Sequence, residues 1–287
     1  MNVWNKIKSE FHKGGSAIHQ IVVVILGVFI FSTLISLAGK FADFNAVQFL
    51  NFFYLPSQLT EFLHKPWTIV TNIFFHKDLR HLIGNIIILY FIGKILEEFM
   101  SVDRVWKIFL LGGFSGCILF LVSYNTLPFF VDVVNSSALI GASGGLAAII
   151  AAAGLYVPYF ILRPFGLFEM KMNIASALLL FIMLSFPILE GNIGGFLAHL
   201  GGAIFGALFV LHLQGKLNFL TFRFTEPRPS NTKKSDNTGD SVHKTPASSS
   251  KRIPEQDEID AILDKISSSG YDSLTKDEKE LLFSIKE

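Results

Sequence analysis

Charged residues and cysteines are both scarce in this 287-residue chain. The single cysteine, Cys117, excludes a disulfide framework and lies in an apolar run, where a small buried side chain is expected. Only 16% of the residues are charged and the formal net charge is +1, which argues against a nucleic-acid partner. Hydrophobic residues make up 51% of the chain, more than a soluble core absorbs, so the composition predicts a membrane protein.

Six segments are long and apolar enough to cross a membrane, since a helix needs roughly 20 apolar residues to cross about 30 Å of hydrocarbon. The predicted spans are Ile18–Ala38, Leu79–Met100, Val105–Asn125, Ser143–Leu162, Asn173–Leu189 and Ile193–Leu213. No small-residue cleavage site follows the first span, which favours a retained anchor over a signal peptide. The pattern predicts an all-α membrane protein with a six-helix membrane domain over residues 18–215.

Lysines and arginines near the ends of the spans predict the orientation, because such residues are retained on the cytoplasmic side. They lie before the first span, between the second and third, between the fourth and fifth, and after the sixth: Lys6, Lys8, Lys13, Arg104, Lys107, Arg163, Lys171, Lys216 and Arg223. Both termini are therefore predicted to be cytoplasmic, including the N-terminal residues 1–17. The stretch from Lys40 to Phe75 is rich in aromatic residues, which suits a segment lying in the membrane interface.

The chain changes character after the sixth span. Residues 216–254 are predicted to be a flexible linker, because Thr225–Lys251 contains mainly Pro, Ser, Thr, Asn and Lys. Residues 255–287 are predicted to form a small cytoplasmic tail of two helices, the second opened by a capping box of Thr275 and Glu278. The tail is too small to fold well alone, so it would bind a cytoplasmic partner, dock on the membrane domain or order weakly.

Polar side chains at membrane depth are costly and are therefore functional candidates. Ser143 opens the fourth span, where helix N–H groups and the helix dipole favour an anion. His199 lies near the start of the sixth span, and His81 and Asn85 share one face of the second, with His76 just before it. All of these residues lie towards the same predicted side of the membrane.

Stripes of small residues would let the fourth and sixth spans touch. The stripe on the sixth span consists of Gly194, Ala198, Gly202 and Gly206, and the stripe on the fourth of Ser143, Ala147 and Ala151. If these stripes face each other, Ser143 and His199 can come within about 2.6 to 3.2 Å, the distance at which a base activates a serine.

Each candidate also has a structural interpretation. Ser143 could be a helix cap, His199 a structural histidine, His81 and Asn85 hydrogen-bonding residues between helices, and His76 an interfacial residue. Three histidines could bind zinc, but no acidic or thiol ligand accompanies them, so no metal is predicted. Gly141-x-Ser143-x-Gly145 also matches the nucleophile elbow of soluble hydrolases, but the required strand is missing, and the acids between Ser143 and His199, Glu169 and Glu190, do not fit an orienting role at the right depth.

Together these residues resemble the rhomboid family of intramembrane serine proteases over residues 15 to 215. The matching motifs are His76-x4-His81-x3-Asn85, Gly141-Ala142-Ser143-Gly144, and Ala198-His199-Leu200-Gly201-Gly202 with Gly206. The resemblance implies a six-helix bundle around a water-filled cavity in which Ser143 attacks a peptide carbonyl and His199 takes its proton. It also implies that His81, Asn85 and the Ser143 amide form the oxyanion hole, with His76 and Gly141 beside it, and that residues 186–191 form a cap.

Two positions depart from the family pattern. Trp67 is followed by Thr68, where many members have arginine, and Ala147 stands where members often carry an aromatic residue that packs against the histidine. The C-terminal tail resembles a tail found on rhomboids of the Bacteroidota, which implies a bacterial inner membrane.

The sequence therefore predicts a multi-pass inner-membrane serine protease without a cofactor, which cleaves transmembrane protein substrates within the lipid bilayer by means of a Ser143/His199 dyad. One alternative is a non-catalytic protein of the same fold that binds membrane clients, although such relatives usually lack the serine or the histidine. Another is a small-solute transporter, for which internal repeats and broken helices would be expected.

Overall fold

The computed structural model describes residues 15–42 and 44–217, together with Ile262, Thr275 and Glu278. The chain divides into two compact units, Met1–Arg223 and Phe224–Glu287. Most of the predicted N-terminal segment 1–17, linker 216–254 and tail 255–287 lies outside the described residues.

Helices dominate the described part of the first unit. They are α1 (Ala17–Phe41), α2 (Ala46–Asn51), α3 (Leu59–His64), α4 (Thr68–Thr71), α5 (Leu79–Phe99), α6 (Val102–Thr126), α7 (Ser143–Tyr156), α8 (Met172–Leu189) and α9 (Ile193–Leu213). Four two-residue strands accompany them: β1 (Leu55–Pro56), β2 (Ala138–Leu139), β3 (Ile161–Leu162) and β4 (Met170–Lys171). Short 3-10 turns occupy Pro128–Phe130 and Pro164–Gly166.

Five helices of the described chain, α1, α5, α6, α8 and α9, are long and apolar enough to cross a membrane. Their ends agree closely with five of the predicted spans; the sixth span, Ile193–Leu213, is reproduced without change. The prediction of an all-helical membrane bundle is confirmed.

The fourth predicted span, Ser143–Leu162, is too long. Its helix, α7, has 14 residues and ends at Tyr156. Pro158 explains the early end, because it has no N–H to continue the helix and disfavours helical geometry at the preceding residue. Ile161 and Leu162, which the prediction included in the helix, pair instead with Lys171 and Met170 as a small antiparallel ladder.

The short helix α7 lies inside the bundle, where α5, α6, α8 and α9 pack against it. Every residue from Gly144 to Gly154 is buried. Because other helices surround it, the thickness of the hydrocarbon does not dictate its length, and its composition of alanine and glycine allows close neighbours on all sides.

Glycines bring α9 into backbone contact with α7. A Cβ atom added to Gly202 would overlap the carbonyl oxygen of Gly144, and one added to Gly206 would overlap that of Ala148. The prediction that small residues join these two helices is therefore correct. The predicted register on α7 is wrong by one residue, because Gly144 and Ala148, rather than Ser143 and Ala147, face the glycines.

That shift leaves Ser143 at the edge of the helix contact rather than within it. Gly194, the first residue of the predicted stripe on α9, faces α6: a Cβ atom there would lie 2.9 Å from Phe120 Cε2 and 3.2 Å from the Tyr124 hydroxyl.

The long connection between α1 and α5 is tied to the segment that leads into α7. β1 pairs antiparallel with β2, with Leu55 opposite Leu139. In this connection Trp67 Nε1 donates to Phe52 O over 3.0 Å, and the buried Thr68 hydroxyl donates to Lys65 O over 2.6 Å. The Thr68 hydroxyl thus closes a local turn.

In the second unit, the described residues confirm the predicted capping box. Thr275 N donates to Glu278 Oε2 over 2.7 Å, and Glu278 N donates to Thr275 Oγ1 over 3.3 Å. These reciprocal bonds satisfy two backbone donors at a helix start.

Replacing Gly206 by alanine should destabilise the bundle by about 1–3 kcal/mol, because the new methyl group would meet backbone atoms of Ala148 that cannot rotate away. Gly84→Ala is the matched control, since a Cβ atom at Gly84 in α5 meets nothing within 4 Å. Unfolding midpoints in detergent should fall for Gly206→Ala and not for Gly84→Ala. Equal midpoints for the two variants would contradict the proposed importance of this contact.

Candidate active site

Ser143 is positioned by the turn that joins β2 to α7. Gly141 in this turn has a φ of 133°, a conformation that favours glycine, and its N–H donates to Asn72 O over 2.9 Å. A Cβ atom at Gly141 would lie 2.7 Å from His81 Cε1 and 3.6 Å from Ser143 Oγ. The turn therefore holds Ser143 and the His81 ring against the same glycine.

The N-terminus of α7 adds backbone donors to this position. Ser143 is the first helical residue, so its N–H and those of the next two residues have no acceptor within the helix. The positive end of the helix dipole lies at the same place. Negative charge that develops near Ser143 would consequently be stabilised.

His199 lies two turns into α9. Asn192 caps the start of this helix, where its side-chain Oδ1 accepts a hydrogen bond from Gly195 N over 2.9 Å. The His199 Nδ1 atom is 2.7 Å from the carbonyl oxygen of Met183 in α8. A carbonyl oxygen can only accept, so Nδ1 carries the proton and Nε2 of the neutral ring has a lone pair. This is the tautomer that a general base for serine requires.

His81 and Asn85 are held on the first turns of α5. Asp78 caps this helix, with Oδ1 accepting from His81 N over 3.0 Å. The His81 and His76 rings lie 5.2 Å apart between centroids. Asn85 and His76 are buried, and Asn85 Nδ2 and His76 Nε2 have no hydrogen-bond partner among the described residues.

The two predicted catalytic side chains line one cavity of about 470 Å³, together with His81. Among the described residues there is no direct hydrogen bond between Ser143 and His199, whose ring is bonded to Met183 O. Catalytic hydrogen bonds are often long before substrate binds and tighten afterwards. Of the other predicted site residues, Gly141 lies against His81 and Ser143, whereas His76 and Asn85 are buried and are not among the residues that line the cavity.

Among the lining residues, Lys77, Asp78, Arg80 and Asn192 were not singled out by sequence reasoning. Three others, Phe186, Pro187 and Glu190, belong to the segment 186–191 that was expected to form a cap. Asp78 could have been found as a helix cap three residues before His81. The charges have both signs, and no group of three metal-binding side chains occurs in the part of the chain that the structure describes.

The fold and the cavity define a polytopic helical membrane protein with a serine and a histidine inside its bundle. The family model described as the Rhomboid domain matches residues 63–215, and the chain belongs to the rhomboid family. A second family model, of unknown function (DUF6576), matches residues 248–284.

Two curated proteins are similar to this chain. Rhomboid-related protein 1 of Caenorhabditis elegans is 28% identical over 207 residues, which cover 66% of this chain and 52% of that protein. RHOMBOID-like protein 12, mitochondrial, of Arabidopsis thaliana is 30% identical over 161 residues, which cover 49% of this chain and 44% of that protein. The chain thus spans about half the length of the curated relatives it matches.

His76 should make the stability of the protein depend on pH. Its pKa is lowered from 6.5 to about 4, mainly because burial removes water from the charged form, with repulsion from His81 adding to the effect. Between these values the unfolded chain binds a proton that the folded chain does not. Stability from this group is therefore complete above about pH 6.5 and is lost as pH falls towards 4, by up to about 3 kcal/mol.

The measurement is the unfolding midpoint in detergent between pH 7 and pH 4. The wild type should lose stability over this window, and His76→Gln should lose less, because glutamine does not titrate. His64→Gln in α3 serves as the control for loss of an exposed histidine. If the unfolding midpoints of the wild type and both variants fall equally between pH 7 and pH 4, burial of a neutral His76 does not cause the loss of stability in acid.

Proposed function

We propose that this chain is an intramembrane serine protease that hydrolyses peptide bonds in or near transmembrane segments of membrane proteins. The observation that carries the proposal is that Ser143 and His199, from two helices in backbone contact, line one cavity of a rhomboid-family bundle. Some proteins of similar fold are inactive, and the presence of both side chains at one cavity favours the enzyme.

The reaction follows from the chemistry of the two side chains. Ser143 Oγ attacks the carbonyl carbon of the scissile bond while Nε2 of His199 takes the hydroxyl proton. The proton then passes to the leaving amine as the C–N bond breaks, which leaves an acyl ester on Ser143. Water, deprotonated by the same nitrogen, attacks this ester; as the ester bond breaks, the proton passes from Nε2 to Ser143 Oγ and the second product leaves with a new carboxyl group. No cofactor takes part in these steps.

The oxyanion of the tetrahedral intermediate would be stabilised by donors at the start of α7 and on α5. The candidates are the Ser143 amide, the His81 ring and Asn85 Nδ2, with Gly141 giving close access and His76 packed behind His81. Donors fixed around a developing charge in a site of low polarity are each worth a few kcal/mol of barrier.

The membrane setting follows from the same proposal. The starts of α5, α7 and α9 and the end of α8 lie at one end of the bundle, because residues from all four line the same cavity. The distribution of lysine and arginine favours an outward-facing cavity and cytoplasmic termini. The resemblance of the C-terminal tail favours a bacterial inner membrane as the location. The C-terminal tail would then face cytoplasmic partners, and the substrates would enter from the bilayer.

The proposal predicts that a fluorophosphonate probe labels the detergent-purified protein at Ser143 and that the protein cleaves a model transmembrane substrate in liposomes. Ser143→Ala should abolish both activities, because no other hydroxyl in the dyad can attack. Ser176→Ala is the matched control, since Ser176 is a buried α8 serine whose hydroxyl has no partner among the described residues. Labelling and cleavage that survive in Ser143→Ala, or that never occur in the wild type, would contradict the proposal; retained client binding without cleavage would favour the non-catalytic alternative.

The oxyanion assignment predicts that Asn85→Ala lowers kcat by about 10²-fold and changes KM little, because the lost donor acts mainly in the transition state. His81→Ala should act in the same direction. Steady-state kinetics with one transmembrane substrate distinguish this from a packing defect, for which the unfolding midpoint would fall in parallel. An unchanged kcat in Asn85→Ala would exclude the side chain from the oxyanion hole.

A further inference from the structure

Pro187 lies inside α8, two residues before the end of the helix at Leu189. In an α-helix the N–H of residue 187 would donate to the carbonyl oxygen of Met183. Proline has no N–H, so this carbonyl lacks its helical donor. The acceptor that it frees is the one that receives Nδ1–H of His199, over 2.7 Å.

We propose that Pro187 is a positioning residue for the catalytic histidine: by withholding an N–H from Met183 O, it reserves this carbonyl for His199. The inference rests on the proposed protease function, in which Nδ1 must keep its proton so that Nε2 can take the proton of Ser143. Pro187 is buried and lines the cavity with His199.

The carbonyl of Pro187 itself connects α8 to the start of α9. It accepts from Asn192 N over 2.7 Å, and the Asn192 side chain caps α9 through Gly195 N. Two hydrogen bonds therefore connect α8 to α9 and its cap: one from His199 to Met183 O, and one from Asn192 N to the carbonyl of Pro187. Together they hold Met183 O close to the imidazole ring.

The imidazole ring gains no hydrogen bond from position 147, one turn after Ser143, because a fully buried alanine stands there. In the described part of the chain, the imidazole ring is hydrogen-bonded to the carbonyl oxygen of Met183. An acceptor that is already bonded within its helix would hold the ring more weakly, since its helical N–H would compete for the same oxygen.

The test compares two replacements of Pro187, of which one has a backbone N–H at position 187 and the other has none. Pro187→Ala restores the donor, whereas lactic acid at the same position, introduced by nonsense suppression, gives the ester analogue of alanine, which has no donor. The ester also weakens the Phe186 carbonyl, which accepts from Glu190 N, but leaves Met183 O unaltered. Pro164→Ala, in the turn before β4, controls for the loss of a proline elsewhere.

We expect Pro187→Ala to lower kcat roughly 10-fold or more with little change in KM, because one positioning hydrogen bond is lost. The ester variant should retain several times more of kcat than Pro187→Ala. Equal kcat values in the two variants would overturn the inference, since the ring of proline and not its missing N–H would then matter. Wild-type kcat in Pro187→Ala would overturn it as well.

A second readout does not depend on activity. Ring-¹⁵N-labelled protein, with His199 assigned by comparison with His199→Gln, should show an Nδ1–H tautomer in the wild type and the ester variant. Pro187→Ala should show a larger share of Nε2–H. If the protein cleaves no substrate, the protease proposal fails while this spectrum still tests the role of Pro187; identical spectra in all three proteins would overturn that role.

Discussion

The contact between the backbones of α7 and α9 is the constraint on which the rest of the structure depends. Gly202 and Gly206 leave no room for a Cβ atom against the carbonyl groups of Gly144 and Ala148. In a bilayer the lipid tails are as apolar as the side chains, so moving apolar side chains from lipid into a helix contact gains little free energy. Close packing of this kind is therefore a main source of helix association. It brings the starts of α7 and α9 together, and with them a serine and a histidine that are 56 positions apart in the sequence.

The apolar runs were sufficient to predict five membrane-spanning helices, because hydrocarbon thickness sets the length of a helix that faces lipid. The same rule failed for α7, which is enclosed by other helices and ends where Pro158 stops it. The register of its contact with α9 could not be read either. The stripe that begins at Ser143 and the stripe that begins at Gly144 both continue with alanine at each fourth residue, so they look alike in sequence.

The candidate site was predictable as a set of residue types and only partly as a geometry. Spacing alone placed His81 and Asn85 on one face of α5, whereas the turn before Ser143, in which Gly141 has a φ of 133°, was not predicted. Which side chains line the cavity depends on the rotation of each helix, and this has no signal in a single sequence. The partner of His199 was also hidden, because the acceptor is a backbone carbonyl and Met183 offers no side chain that would reveal it.

A neutral carbonyl suits this position better than the carboxylate that orients the histidine in many soluble serine hydrolases. A buried carboxylate in a membrane-spanning helix would cost several kcal/mol unless fully paired. A carbonyl without its helical donor costs less, and the bond to Nδ1–H removes most of that cost. The proline therefore leaves a hydrogen-bond acceptor free for the histidine without placing a charge inside the membrane.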